Sequence, residues 1–102
     1  MAVNEIHLND IGTVFEATIM DGAVVVNIST ATTKQLIFRG PNGSSKTKAA
    51  AFTTDGTDGK LRYVTTANDL DPVGQWSWQA YVVMSAGSWH SDVAEFIVYE
   101  NL

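Results

Sequence analysis

The sequence predicts an all-β domain, and three observations carry the prediction. Apolar residues alternate with polar ones over long stretches, which is the period of a half-buried strand and not the 3.6-residue period of a helix. Asp21-Gly22 and Gly40-Pro41-Asn42-Gly43 interrupt the alternation with residues that suit chain reversals. Hydrophobic residues make up 45% of the 102 and charged residues 17%, enough for a core and too little charge for a disordered chain. Residues 1–102 therefore read as a single domain.

The first clear strand covers Thr13 to Met20, with Phe15, Ala17 and Ile19 on one face and Glu16 and Thr18 on the other. Folding the chain about Asp21-Gly22 sets Ile19 opposite Val24, Ala17 opposite Val26 and Phe15 opposite Ile28. All three pairs share one face, and a slip of one residue would turn that face to water on one strand. Ser29 to Lys34 is rich in Ser and Thr and reads as a crossover loop. Leu36 to Arg39 is a short strand, ended by Gly40-Pro41-Asn42-Gly43. The next strand runs from Lys48 to Thr54 with Ala50 and Phe52 inward, followed by a turn over Asp55-Gly56-Thr57-Asp58-Gly59. Leu61, Tyr63 and Thr65 then share a face.

Gln75 to Met84 alternates without a break. Trp76, Trp78, Ala80, Val82 and Met84 form one row and Gln75, Ser77 and Gln79 the other. A three-residue loop, Ala86-Gly87-Ser88, sets Ala80 against Ala94, Trp78 against Phe96 and Trp76 against Val98. Each buried large side chain contributes ~1.5–3 kcal/mol, so this aromatic row is the expected centre of the core, and Trp78→Ala is expected to remove a large share of stability. Strands of this length and spacing predict an immunoglobulin-like antiparallel β-sandwich of about seven or eight strands, with a small closed barrel as the alternative.

Charge and composition exclude several function classes. The formal net charge is −5 with six Lys and Arg, the wrong balance for neutralising nucleic-acid phosphates or for a polybasic membrane patch. No apolar run approaches the ~20 residues of a spanning helix. Met1-Ala2-Val3-Asn4-Glu5 lacks the basic start and apolar stretch of a secretory signal. With no cysteine, disulfides, thiolate metal sites and cysteine nucleophiles are excluded.

Candidate chemistry is sparse. His7 and His90 are the two histidines, and only His90 has an acid close by in sequence, Asp92, too little to build a triad or a metal centre. Asp55, Asp58, Asp69 and Asp71 offer carboxylates for calcium, but the spacing lacks the ligand set of an EF-hand loop, and turn formation already explains these residues. Neither a cofactor nor a metal is expected. Lys34, Arg39, Lys46, Lys48, Lys60 and Arg62 are scattered; they read either as lysines and arginines that discourage edge-to-edge pairing or as acceptors for an acidic partner. Trp89, beside a hairpin tip, either anchors an interface or folds over the end of the sandwich. Tyr81, Val83, Ile97 and Tyr99 alternate outward on one sheet and would form an apolar exterior face that a partner covers.

Several stretches resemble phage virion proteins of the baseplate-upper-protein type. They are Ile6-His7-Leu8-Asn9-Asp10-Ile11-Gly12-Thr13, Val25-Val26-Asn27-Ile28-Ser29-Thr30-Ala31-Thr32, Gly40-Pro41-Asn42-Gly43, Asp55-Gly56-Thr57-Asp58-Gly59, Leu70-Asp71-Pro72-Val73-Gly74-Gln75-Trp76 and Ser91-Asp92-Val93-Ala94-Glu95-Phe96-Ile97-Val98. The resemblance implies an N-terminal β-sandwich domain and a non-enzymatic structural protein of the tail or baseplate. That protein would be assembled in the host cytoplasm, located in the virion, and partnered by other virion proteins. Self-association through the Tyr81-Val83-Ile97-Tyr99 face or through strand edges is expected. The competing expectations are a capsid-surface decoration protein and a carbohydrate- or receptor-binding module. In the latter, Trp89 or Tyr99 stacks on sugar rings while Asp69 and Asp71 bond hydroxyls. A hydrolase, for which Asp69, Asp71 or Glu95 would have to serve, is the least supported.

Overall fold

The computed structural model describes residues 6–101, so the Met1–Glu5 start considered above lies outside it. The strands in order are β1 (Ile6–His7), β2 (Val14–Thr18), β3 (Met20–Asp21), β4 (Val24–Val25), β5 (Thr33–Arg39), β6 (Ser45–Ala49), β7 (Ala51–Phe52), β8 (Lys60–Val64), β9 (Gly74–Met84), β10 (Gly87–His90) and β11 (Ala94–Tyr99). No helix occurs among the described residues. The larger sheet has the order β1-β11-β9-β5-β6, with β10 also on β9; the smaller has the order β2-β8-β7; β3 and β4 form a separate hairpin. β1 runs parallel to β11, and the other pairs are antiparallel.

The core lies between the two sheets. Leu36, Phe38, Trp76, Ala80, Val82 and Val98 enter from the larger sheet, and Phe15 and Leu61 from the smaller. The Phe15 ring lies 5.1 Å from Phe38, 5.4 Å from Trp78 and 4.9 Å from Phe96, centroid to centroid, within the range of favourable edge and offset aromatic contacts. Trp76 is the deepest of the large rings, 2% exposed, and stacks on Phe96 at 5.9 Å. The energetic centre therefore sits one step along the row from Trp78, which is half-buried.

Three pairings differ from the sequence expectation. The hairpin after β2 reverses around Gly22-Ala23, so Met20 pairs with Val25 and Asp21 with Val24, and the Val26 N–H bonds the Ile19 carbonyl at 2.9 Å. Phe15 and Ala17 instead pair with Tyr63 and Leu61 of β8. Alternation specifies which face of β2 is inward but not which strand it meets, and β8 supplies a five-residue ladder. Ile19 and Ile28 are still fully buried.

The expected Lys48–Thr54 strand is divided: β6 belongs to the larger sheet, β7 to the smaller, and Ala50 is the crossing point. Ala50 and Phe52 do face the core, as expected. The loop between β9 and β10 is Ser85-Ala86, two residues and not three. An interruption at Ser91–Val93 then brings Ala94 opposite Trp78, Phe96 opposite Trp76 and Val98 opposite Gly74. There the Ala80 N–H bonds Ser91 Oγ at 2.8 Å, a side chain standing in for a ladder carbonyl. The two-residue offset keeps Phe96 and Val98 on the core face.

Gly59 is required where the chain returns into β8. Its φ is +73°, and a Cβ there would lie 2.7 Å from Val25 Cγ1 and 2.8 Å from the Val26 carbonyl oxygen. Gly59→Ala is expected to cost about 2 kcal/mol or more from backbone strain plus the clash. A chemical-denaturation midpoint within error of the parent's would refute this account of the turn.

Candidate functional site

The sequence-selected residues do not converge. Tyr81 and Val83 lie toward one end of β9, whereas Ile97 pairs with Gln75 near the other. At ~3.3 Å per residue, the six positions from Gln75 to Tyr81 span roughly 20 Å, and Ser77, Gln79 and Glu95 lie between. Ile97 and Tyr99 are 46% and 45% exposed, and the Tyr99 ring lies 6.1 Å from His7. Tyr81 packs against His90 at 4.5 Å. The expected single apolar face is thus two separate patches. Trp89 takes the second of its two expected positions, half-buried against the core with its indole over Gly87.

The acids and lysines are mostly committed to structure. Asp55 Oδ1 accepts from Thr57 N and Oγ1, and Asp58 accepts from Lys60 N and Thr54 Oγ1, so both close turns. Asp69 is buried. Its carboxylate accepts from Tyr63 OH, Thr66 N and Thr66 Oγ1 and pairs with Lys48 Nζ at 2.9 Å. Burial alone would raise its pKa, but the Thr66 amide, the Tyr63 hydroxyl and Lys48 together hold it down to about 2. Lys46 Nζ donates to the carbonyls of Asn68, Asp69 and Asp71 and sits 5.5 Å from the Trp76 ring centroid. The two lysines thus tie β6 to the loop before β9 and, contrary to the edge-guarding reading, face inward. Lys34 lies over the Phe52 ring.

One feature left open is the free edge of β2. The Thr65 N–H bonds the Thr13 carbonyl and the Ile19 N–H bonds the Gly59 carbonyl, both in the β2–β8 register. Strand alternation then turns the backbone groups of Phe15 and Ala17 toward β8 and those of Val14, Glu16 and Thr18 away from it. β2 ends its sheet, so no strand among the described residues takes up those groups. This edge opens on a cleft of about 310 Å³. One wall is Glu16, Ala17, Thr18, Met20 and Gly22; the other is Trp78, Ser91, Asp92 and Ala94.

Sequence reasoning missed this site for a specific reason. The expected hairpin laid residues 24–28 along β2, whereas in the structure β2 takes β8 as its one neighbour and its other edge stays open. No local signal in Val14–Thr18 reveals which side remains free.

The fold is a β-sandwich of immunoglobulin-like or cupredoxin-like kind. A solved structure it resembles is CopC from Methylosinus trichosporium OB3b, with a TM-score of 0.54 over 97% of this chain and 89% of that one at 14% identity. No protein-family model and no curated protein matches the chain. The phage-virion function implied by the sequence resemblance is corrected here. The structural match is to CopC, and nothing of phage tail type accompanies it. Among the described residues no three His, Cys, Asp or Glu side chains gather, and His7 and His90 lie beside different tyrosines on different strands. The likeness to CopC is one of fold.

No described helix is long and apolar enough to cross a membrane.

Proposed function

We propose that this chain is a non-enzymatic protein-interaction domain that accepts an extended segment of another chain along the free edge of β2. The observation that carries the reading is that edge: the backbone groups of Glu16 and Thr18 point outward beside a cleft large enough for side chains. An added strand gains affinity from main-chain hydrogen bonds and selectivity from the pockets its alternate side chains fill. Asp55, Asp58 and Asp69 are bound into turns or to Lys48, which favours adhesion over acid–base catalysis.

The reading is tested by amide hydrogen exchange with a blocked peptide of alternating valine and threonine. In the parent protein, the Glu16 and Thr18 amides are expected to slow by more than roughly tenfold on binding. Thr18→Pro removes an outward donor while leaving the β8 ladder intact, as edge strands tolerate. It is expected to abolish the slowing at Glu16 and to leave the folded spectrum in place. Unchanged exchange at both amides of the parent at saturating peptide would overturn the proposal.

A further inference from the structure

The outer face of the larger sheet carries a pattern that fits a second copy of itself. Strand alternation turns every second residue of β5, β9, β10 and β11 away from the core. Among these outward residues Arg39 is the one Lys or Arg and Glu95 the one Asp or Glu. They stand on either side of Ser77, Arg39 pairing with it from β5 and Glu95 from β11. Both are exposed, and neither forms an ion pair among the described residues. Two opposite charges thus lie ~10 Å apart, twice the strand spacing. The rest of the face is Ser, Thr and Gln with aromatic and aliphatic side chains, the depletion of charge that marks an interface core.

A two-fold axis lying in the interface along β9 stacks this face on its own copy with the β9 strands aligned, as packed sheets lie within about 30° of each other. That axis exchanges the β5 side with the β10–β11 side at each level of β9. At Ser77 it sets Arg39 against the partner's Glu95, and Glu95 against the partner's Arg39. At Gln79 it sets Ile37 against the partner's Val93, which is 62% exposed beside a hollow of about 200 Å³. At Gln75 it sets Pro41 against the partner's Ile97, and at Tyr81 it sets Gln35 against the partner's His90. Opposite charges meet, apolar meets apolar and polar meets polar. An axis across the strands would instead set Arg39 on Arg39 and Glu95 on Glu95, so the charges select the aligned arrangement. We propose that two copies of this chain pair through the outer face of the larger sheet, with two reciprocal Arg39–Glu95 contacts. β9 has 11 residues, roughly 36 Å of strand, and three strands are roughly 14 Å wide. The footprint is roughly 500 Å² per subunit, so the total of roughly 1,000 Å² predicts a reversible dimer and not a permanent one. The β2 edge lies on the other sheet and stays open, so the dimer presents two such edges to a partner.

Analytical ultracentrifugation from about 1 μM to about 1 mM tests this, and the parent is expected to pass from monomer to dimer within that range. Arg39→Glu alone and Glu95→Arg alone each place like charges at both contacts. Each is expected to weaken the dimer by at least about tenfold. Mixing the two variants restores opposite charges at both contacts, so a heterodimer of near-parent strength is expected. The double variant R39E/E95R is expected to recover the homodimer for the same reason. Both recoveries require folded protein, so a loss of pairing through misfolding is told apart from a loss through repulsion. A parent that stays monomeric across the range overturns the proposal. So does a dimer indifferent to both substitutions, or one that neither mixing nor the double swap restores. A dimer that slows exchange at the Glu16 and Thr18 amides runs through the β2 edge and overturns it as well.

Discussion

Replacing Trp76 with alanine is expected to lower the unfolding free energy by about 3–5 kcal/mol. The indole is 2% exposed, stacks on Phe96, donates through Nε1 to the Pro72 carbonyl at 2.9 Å and lies under the Lys46 ammonium. Alanine would leave a large void at the junction of β9 and β11 and strip the Pro72 carbonyl of its donor. Against a typical stability of ~5–15 kcal/mol, that is enough to bring a domain of this size near its threshold. Each kcal/mol moves the melting temperature by roughly 4–8 °C at this length. Calorimetry reads the shift directly, and a fall of only a few degrees would mean the core is centred elsewhere. Trp78→Ala is expected to cost less, because Trp78 is half-buried at the cleft.

Acid is expected to destabilise the domain through Asp69. Its pKa is depressed to about 2 in the folded chain, against 3.8 for the free side chain. The unfolded chain therefore takes up this proton first as pH falls, so the stabilisation is fully present above about pH 4 and is lost as pH drops toward 2. The size is about 2 kcal/mol. Asp69→Asn removes this pH dependence at its source. It also leaves Lys48 without its carboxylate, so the variant is expected to lose about 2–3 kcal/mol at neutral pH and to show a flatter acid limb. Denaturant midpoints at pH 7 and pH 3 for parent and variant check both parts. Parallel acid limbs would assign the acid sensitivity to other carboxylates.

The layered architecture was legible because long alternations leave little choice of face. Trp76, Trp78, Ala80, Val82 and Met84 could turn inward only as a row, and they do. Partner choice was less legible, because a two-residue shift costs the pattern nothing: Phe96 faces the core whether it meets Trp78 or Trp76. The polar tie was invisible for a different reason. Ser45-Lys46-Thr47-Lys48-Ala49 has no apolar face to mark its inward side, and Asp69 in a loop reads as a turn former. Their pairing depends on β6 and the loop before β9 meeting across a gap of more than twenty residues, which no local pattern encodes. The open edge of β2 follows from the same kind of choice, since it exists only because β8, and not the following hairpin, became its neighbour.

The parallel pairing of β1 with β11 has a mechanical consequence. Ile6 lies beside Val98 and His7 beside Tyr99, while Leu8 N–H reaches the Tyr99 carbonyl and Asn101 Nδ2 reaches back to the Leu8 carbonyl. Tension applied between the two ends of the described chain would drag these strands past each other lengthwise. Bonds lying across the pull then share the load and must fail together, unlike a seam unzipped one bond at a time. A domain joined this way holds its ends under traction while the β2 edge, on the other sheet, bears none of it.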